Sequence, residues 1–332
     1  MPVQGEGNIQ GVLHVDRYLT TYSVNFVQDR RAFVAQRAAS VVPVMKQTDQ
    51  YVVYDRGYFW RDEVAPRPLG GRPVQAGYKV NADSYTATEY ALETTVDDRQ
   101  RANVDDPIRL DENATTFLTQ KHMIKQDRVW VTQFFRTGVW TTDVTGINST
   151  PTAGSTILRW NNSNSTPIED IDYYKDVINQ STGFMPNTLV LGAGTKRILR
   201  SHPDIADRIK YTQTGIADED VLAKLFEISN VVVARSVYNS AAEGESNNFT
   251  YIVDQKSAWL GYIEPNPGLD SPTAIANFAW VGLIPGVTNT MGGVIERGRD
   301  DRAHTDYFQG RMAWALKQVS ADLGVFLNGA IL

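Results

Sequence analysis

A turn between an apolar strand and a helix, Gly192-Ala193-Gly194, is the segment of this sequence that most invites a chemical interpretation. Dinucleotide-binding proteins use glycines in such a turn so that the backbone can approach a pyrophosphate at the start of the helix. The third glycine of that pattern is replaced here by Arg197, and no acidic residue ends a second parallel strand at the expected distance. We therefore interpret the segment as a tight strand-to-helix turn. A nucleotide-dependent enzyme built on the Gly192 turn remains the alternative.

Histidine serves acid–base chemistry and metal binding, and the sequence has four: His14, His122, His202 and His304. They lie far apart without the spacing of a metal site, so we expect His122 on the polar side of a long helix and His202 in a capping role. The densest polar cluster, Asp300 to Asp306, could suggest acid–base chemistry, but a hairpin turn between two long strands explains it as well. Cysteine is absent, and no Walker loop, nucleophile elbow or zinc-binding helix occurs. The sequence thus predicts no catalytic residue, no metal site and no cofactor, which favours a structural or binding protein over an enzyme.

Composition sets limits on size, compartment and partners. With 332 residues, 42% of them hydrophobic, the chain can bury a substantial core and is expected to form about two domains. No apolar run approaches the ~18 residues of a membrane span and the amino terminus lacks a signal-peptide pattern, so we expect a soluble protein made in a cytosol. The net charge is −6 with acidic and basic residues interleaved, which disfavours tight binding to nucleic-acid phosphates.

A long two-stranded arm is the most distinctive element of the sequence. Two strand-like runs, at 51–54 and 78–83, flank a segment rich in proline, glycine and charge between Arg61 and Pro73. The second run alternates apolar residues at even positions with polar residues at odd positions, the period of a strand with one wet face. Because an isolated hairpin is marginal in water, an arm this long with the aromatic patch Tyr58-Phe59-Trp60 suggests a surface completed by another molecule. A hairpin folded back on its own domain is an equally open alternative.

A long helix is predicted from about 107 to 137. Asp106 can cap it, Pro107 suits its first position and Gly138 supplies a stop. Its apolar stripe repeats in steps of three to four residues: Phe117, Leu118, Ile124, Val129, Phe134 and Phe135. A polar loop at 141–166 marks a domain boundary, and a compact α/β region with strands at 188–191 and 230–234 is expected after it.

The order of several segments is distinctive: Val42-Pro43-Val44 at the start of the two-stranded arm, Tyr51-Val52-Val53-Tyr54, the arginine-rich loop tip, the long helix after Asp105-Asp106-Pro107, Leu199-Arg200-Ser201-His202-Pro203-Asp204-Ile205 followed by Lys210-Tyr211-Thr212, Leu222-Ala223-Lys224-Leu225-Phe226, Val231-Val232-Val233-Ala234-Arg235, Phe278-Ala279-Trp280 and Ala321-Asp322-Leu323-Gly324. In this order the segments resemble the major capsid protein of a tailed bacteriophage with the Hong Kong 97 fold, over nearly the whole chain from about Val41 to Leu332.

This resemblance implies an α+β chain with an amino-terminal arm, an extended two-stranded loop, a peripheral domain containing a long spine helix, and an α/β axial domain. The implied boundaries are 1–42 for the arm, 43–85 for the extended loop, 86–160 and 286–320 for the peripheral domain with the spine helix at about 107–137, and 161–285 and 321–332 for the axial domain. The extended loop would lie across a neighbouring subunit. The candidate inter-subunit contacts are Tyr58, Phe59, Trp60, Arg56, Arg61, Arg67, Arg72, Arg30 and Arg31.

The resemblance also implies a function and partners. The chain would self-assemble into hexamers and pentamers of an icosahedral shell that encloses double-stranded phage DNA, held only by weak non-specific contact, in a virion assembled in the host cytoplasm. Some family members carry an amino-terminal scaffolding segment, but here Met1 stands only about 40 residues before the extended loop. A separate scaffolding protein is therefore expected. A portal and a decoration protein are further candidate partners, no membrane is involved, and no isopeptide crosslink from Lys46 or Lys79 is predicted. An encapsulin-type protein shell is the alternative within the same fold, and a minor capsid or decoration protein is another.

Overall fold

The computed structural model describes residues 27–54, 56–67, 69–104, 109–209, 218–268, 271–283 and 293–332. His14, the predicted helix cap at 105–107, the segment 210–212 and the first part of the 286–320 segment lie outside the described residues. In the described part, the strands form one five-stranded sheet, one six-stranded sheet and two ribbons of two strands each. Among the described residues no helix combines the length and apolarity that a membrane span requires.

The bounds of the elements follow the chain in order. The first half contains β1 (Ser40–Val44), β2 (Thr48–Tyr54), α1 (Arg56–Phe59), β3 (Val80–Thr86), β4 (Thr88–Asp97), α2 (Asp98–Asn103), α3 (Leu110–Phe134), β5 (Thr142–Ile147) and β6 (Thr156–Leu158). The second half contains α4 (Pro167–Thr182), β7 (Thr188–Gly192), α5 (Ala193–Ser201), α6 (Pro203–Ile209), α7 (Glu219–Leu225), β8 (Asn230–Ala234), β9 (Val237–Asn239), β10 (Phe249–Tyr251), β11 (Ala258–Gly261), β12 (Ile275–Trp280), β13 (Gly293–Asp300), β14 (Thr305–Gln318) and β15 (Gly324–Asn328).

The five-stranded sheet is built around β14. This strand pairs antiparallel with β4, β12 and β13, and β12 in turn pairs parallel with β1. Pro43, the predicted first residue of the extended loop, lies inside β1 opposite Ala279. It therefore belongs to the five-stranded sheet, and the extended loop begins only at β2. An edge strand is the position in a sheet that tolerates proline, because the missing N–H has no ladder partner to lose.

The spine helix α3 lies against this sheet at a very short distance. A Cβ atom on Gly310 of β14 would stand 2.8 Å from His122 Nε2, so only glycine allows helix and strand to approach this closely. The prediction that His122 lies on the polar side of the helix is wrong, because its side chain is buried. This burial lowers the pKa of His122. The helix runs from Leu110 to Phe134, a shorter span than the predicted 107–137. Phe117 of the predicted stripe is 48% exposed.

The six-stranded sheet has the order β6-β5-β15-β11-β7-β8 and is buried on both faces. One face, with Leu189, packs beneath α4 to α7, and the other, with Val190 and Trp259, packs against Trp130 of the spine helix. Both faces are covered, so β7 and β11 are apolar or small throughout and show no alternation. The spine helix therefore stands between the two sheets and joins them.

The extended loop leaves the body through the ribbon of β2 and β3. At its base the rings of Tyr51 and Tyr85 lie 5.3 Å and 4.4 Å from the ring of Phe278, and Tyr51 donates a 2.7 Å hydrogen bond to Asp83. The polar odd-numbered positions of β3 thus share the face that turns toward the body. The apolar even-numbered positions lie on the outer face, where Val80 is 48% exposed. The alternation was predicted, and within one subunit its apolar side faces outward.

Candidate inter-subunit contact surface

Beyond its base, the extended loop stands outside the folded body. Every described residue from Arg61 to Ser84 is exposed apart from Gly71, which is half-buried. The exposed residues include large apolar side chains, with Val64 at 94% and Val74 at 64%. Aliphatic side chains held this far from a core gain nothing from the subunit that carries them.

The predicted aromatic patch lies where the loop leaves the ribbon. Phe59 and Trp60 are each 54% exposed, and the ring of Phe59 lies 5.2 Å from that of Tyr78 on the returning side of the loop. Trp60 reaches the carboxyl end of α4, where a Cβ on Gly183 would stand 3.3 Å from Trp60 Cζ2. Tyr58 is half-buried beneath the guanidinium of Arg61. The structure therefore brings these aromatics together at the root of the loop.

The predicted arginines divide into three groups. Arg56 is paired within its own subunit, with Nη2 2.5 Å from Asp322 Oδ2, and Thr141 donates to the other oxygen of that carboxylate. This ion pair ties the root of the loop to the body.

The loop-tip arginines form the second group. Arg67 donates to the carbonyl of Gly71 and so shapes the tip, whereas Arg61 stacks on Tyr58. Together with Arg72, they form no ion pair with any residue that the structure describes.

Arg30 and Arg31 form the third group and lie elsewhere. They belong to a short 3-10 turn in the amino-terminal arm, where Asp29 accepts a hydrogen bond from the backbone N–H of Arg31. Both are exposed, and the carbonyl of Arg31 accepts from Arg37. No described hydrogen bond joins them to the extended loop, so the predicted contact residues do not form one cluster.

A groove of about 920 Å³ separates the ribbon from the body. Its lining combines the ribbon and the loop root with the body: Tyr51, Val52, Val53, Arg56, Phe59, Trp60, Tyr78, Asn81, Thr182, Phe184, Ser271, Pro272, Val319, Ser320, Asp322 and Leu323. The ribbon therefore touches its own subunit at its base and stands away from it further out.

The Gly192 turn is filled by the chain itself. A Cβ on Gly192 would lie 2.6 Å from the carbonyl oxygen of Asp254, and one on Gly194 would lie 2.7 Å from that of Gln255. Gln255 also caps α5, since its side chain accepts from Gly194 N and its carbonyl accepts from Thr195 N. The glycines admit a neighbouring backbone turn at the place where a pyrophosphate would have to bind, which opposes the nucleotide alternative.

His202 caps a helix, as predicted, and its side chain is buried. Its Nδ1 accepts from the backbone N–H of Asp204 at the start of α6, so Nε2 carries the proton. Nε2 lies 3.0 Å from Ser165 Oγ and 3.1 Å from the carbonyl of Asn162. A histidine that activates a serine must accept the hydroxyl proton, so this pair has the wrong tautomer for nucleophilic catalysis and closes a loop instead.

The Asp300–Asp306 cluster forms the predicted hairpin turn and an ion-pair network. The Asp306 carboxylate accepts hydrogen bonds from Arg101, Arg297 and Arg299 at 2.8 to 3.1 Å. The hydrogen bond from Arg297 is the main reason that the pKa of Asp306 is lowered. The network ties β13 and β14 to α2. Among the described residues no group of His, Asp and Glu could hold a metal ion.

One buried polar site was missed by the sequence analysis. Asp127 on α3 is fully buried and accepts hydrogen bonds from Val34 N, Ala35 N and Ser236 Oγ at 3.0, 2.8 and 2.8 Å. Burial raises its pKa to about 6. The carboxylate joins the amino-terminal arm, the spine helix and the segment after β8. An acidic residue one turn from Trp130 on the helix is the signal that could have revealed it.

Comparisons with known proteins bear on this geometry. Residues 154–286 match the family model described as phage major capsid protein E. The major capsid protein of Burkholderia phage BcepMu is 36% identical over 74 residues, which are 22% of this chain and 24% of that protein. The alignment thus spans about a quarter of this curated relative.

Solved structures match over nearly the whole chain. A phage-related protein from Bordetella bronchiseptica RB50 has a TM-score of 0.67 at 19% identity, covering 91% of this chain and 94% of that one. The capsid of Cyanophage P-SCSP1u has a TM-score of 0.56 at 10% identity, covering 96% and 93%. The SrpI encapsulin complex from Synechococcus elongatus PCC 7942 has a TM-score of 0.50 at 10% identity, covering 93% and 92%.

The fold is that of the proteins that form phage capsids, the Hong Kong 97-type α+β fold. At the level of sequence, the similarity is to major capsid proteins of phages, as the family model and the BcepMu protein indicate. The predicted resemblance is confirmed.

Proposed function

We propose that this chain is a phage major capsid protein, whose copies assemble into the hexamers and pentamers of an icosahedral shell around double-stranded DNA. The observation that carries the proposal is the extended loop, whose described residues from Arg61 to Ser84 are all exposed apart from Gly71 and include large apolar side chains. The match of residues 154–286 to a major capsid family supports it independently of the loop.

The two faces of the β2–β3 ribbon support contact with a second copy. The inner face is already satisfied, because Tyr51 and Tyr85 are buried against Phe278. The outer face presents Val80, which is 48% exposed. Covering this face removes apolar surface from water at about 25 cal/mol per Å², and permanent interfaces between subunits commonly bury roughly 2,000–5,000 Å².

The charge of the chain suits a container for DNA. A wall with a net charge of −6 per copy attracts phosphates weakly, so the genome can move during packaging. A scaffolding protein, a portal and a decoration protein are proposed partners, and assembly in the host cytoplasm is proposed with them.

Electron microscopy of the purified protein tests the proposal. Uniform polyhedral shells are expected, and a monomer at every concentration, both without and with the proposed scaffolding protein, would refute it. Shells isolated from phage-producing cells should contain DNA; a protein cargo without DNA would favour the encapsulin alternative instead.

A double substitution tests the role of the aromatic patch. Phe59→Ala plus Trp60→Ala should fold but assemble at least tenfold less well, because truncation of buried interface aromatics commonly costs about 2 kcal/mol or more. Phe117→Ala plus Tyr173→Ala removes two exposed aromatics from helices α3 and α4 and serves as the matched control. Normal assembly of the loop variant would remove this patch from the interface.

A further inference from the structure

A second aromatic surface lies on the ribbon of β9 and β10. Phe249 pairs with Asn239 and Tyr251 with Val237, so the two aromatic side chains share one face. Phe249 is 67% exposed and Tyr251 51% exposed. A ribbon of two strands is marginal by itself, and two neighbouring aromatics on its open face are characteristic of a contact surface.

The ribbon is held firmly from its other side. Tyr238 lies beneath the guanidinium of Arg128 on the spine helix, 4.8 Å from ring centre to Cζ. The side-chain amide of Gln28 makes two hydrogen bonds to the backbone of Val237, at 2.7 and 2.9 Å. The backbone of Ile252 donates to the carbonyl of Ser236. The two aromatic rings are therefore presented by an anchored element.

The ribbon and the extended loop carry opposite charge. Between Val237 and Tyr251 the only charged residues are Glu243 and Glu245, which are exposed and form no ion pair within the described part of the chain. Between Arg61 and Lys79, four basic residues stand against two acidic ones and give a net charge of +2. Each surface thus combines exposed aromatics with a charge that complements the other.

We infer that the β9–β10 ribbon of one copy receives the extended loop of a neighbouring copy. This inference rests on the proposed function and names the surface that the loop contacts. Aromatic burial would supply most of the affinity, while the acidic ribbon would select and orient the basic loop, as charged rims do at other interfaces.

A second acidic surface on the axial domain fits the loop less well. Helix α4 exposes Glu169, Asp172 and Asp176, but Asp172 already pairs with Lys175. Its one large exposed aromatic residue, Tyr173, is packed edge-on against a neighbouring tyrosine. The face of α4 therefore offers charge without an open aromatic pair, which makes it a suitable control surface.

Charge reversal tests the inference on the full-length protein. Glu243→Lys plus Glu245→Lys on the ribbon should weaken assembly about tenfold, as should Arg72→Glu plus Lys79→Glu on the loop. All four substitutions in one chain should restore shells, because the attraction is rebuilt with its sign exchanged. Glu169→Lys plus Asp176→Lys on α4 makes the same change in net charge and should assemble normally.

The outcomes separate the inference from the proposed function. Wild-type protein that forms no shells refutes both. If the wild type forms shells and the ribbon variant assembles equally well, only the inference is overturned. The inference is also overturned if the two double variants assemble poorly and the variant with all four substitutions does not restore assembly. If a different protein, and not a second copy of this chain, covers the ribbon, the purified chain assembles without using it. The ribbon variant then assembles as well as the wild type, and the inference is overturned.

Chemical crosslinking gives an independent readout, because the chain contains no cysteine. Shells assembled from a mixture of R72C copies and E245C copies should yield covalent dimers with a short thiol-reactive crosslinker. A mixture of R72C and E169C copies should remain monomeric on a denaturing gel. Equal dimer yields from the two mixtures would contradict the assignment of the ribbon.

Discussion

Replacing Asp127 by asparagine should remove a pH-dependent penalty on the folded chain. The carboxylate is fully buried, and burial raises its pKa from 3.8 to about 6. The folded chain therefore binds this proton more tightly than the unfolded chain. Because the folded pKa is raised, the free energy of unfolding falls as the pH rises from about 4 to about 6, and the loss is complete above that window.

The size of the effect follows from the same shift. A difference of about two pKa units corresponds to about 3 kcal/mol, at 1.36 kcal/mol per unit. Asparagine keeps an oxygen that can accept from Val34 N and Ala35 N, and its amide can donate to Ser236 Oγ, so the hydrogen bonds are retained without the titration. The free energy of unfolding of the variant minus that of the wild type should therefore rise by about 3 kcal/mol between pH 4 and pH 7.

Urea unfolding monitored by tryptophan fluorescence measures this difference below the concentration at which the chain assembles. His122 also contributes to the pH dependence of both proteins, and subtraction of the two curves removes its contribution. Asp176→Asn makes the same change in net charge on the exposed face of α4 and controls for it. A difference between Asp127→Asn and wild type that stays constant with pH would show that Asp127 is hydrated in solution, and the argument from burial would fail.

Two further predictions concern the close helix contact and the root of the loop. Gly310→Ala should lower the free energy of unfolding by about 1–3 kcal/mol, because the new Cβ would lie 2.8 Å from His122 Nε2. Gly77→Ala, where nothing lies within 4 Å, should change it little, and equal unfolding midpoints for the two variants would contradict the packing argument. Trypsin should cut the unassembled subunit first in the exposed loop, and Arg56→Gln should speed that cleavage by releasing the 2.5 Å pair with Asp322 while costing only about 0.2–1 kcal/mol of global stability. An unchanged cleavage rate would mean that this pair does not hold the loop.

The sequence alone determined the elements whose pattern is local. The strands at 188–191 and 230–234 were predicted close to the observed bounds of β7 and β8, since a continuous apolar run is visible in a short stretch of sequence. The described residues between Arg61 and Pro73 form no strand or helix, as the sequence predicted, because proline, glycine and charge prevent regular pairing. The resemblance to capsid proteins depended on the order of such elements.

Only the tertiary structure decided which side chains meet across long stretches of chain. Asp127 receives hydrogen bonds from residues 93 and 92 positions earlier, and no periodicity within the helix marks it as an acceptor. His122 is buried because a glycine on a distant strand leaves space for it. The apolar side of β3 faces outward because Tyr51 and Tyr85 on the other face pack against the body. Local preferences fix where a strand or helix forms, but which face is buried depends on partners brought together by folding, and for the extended loop we propose that those partners belong to another copy.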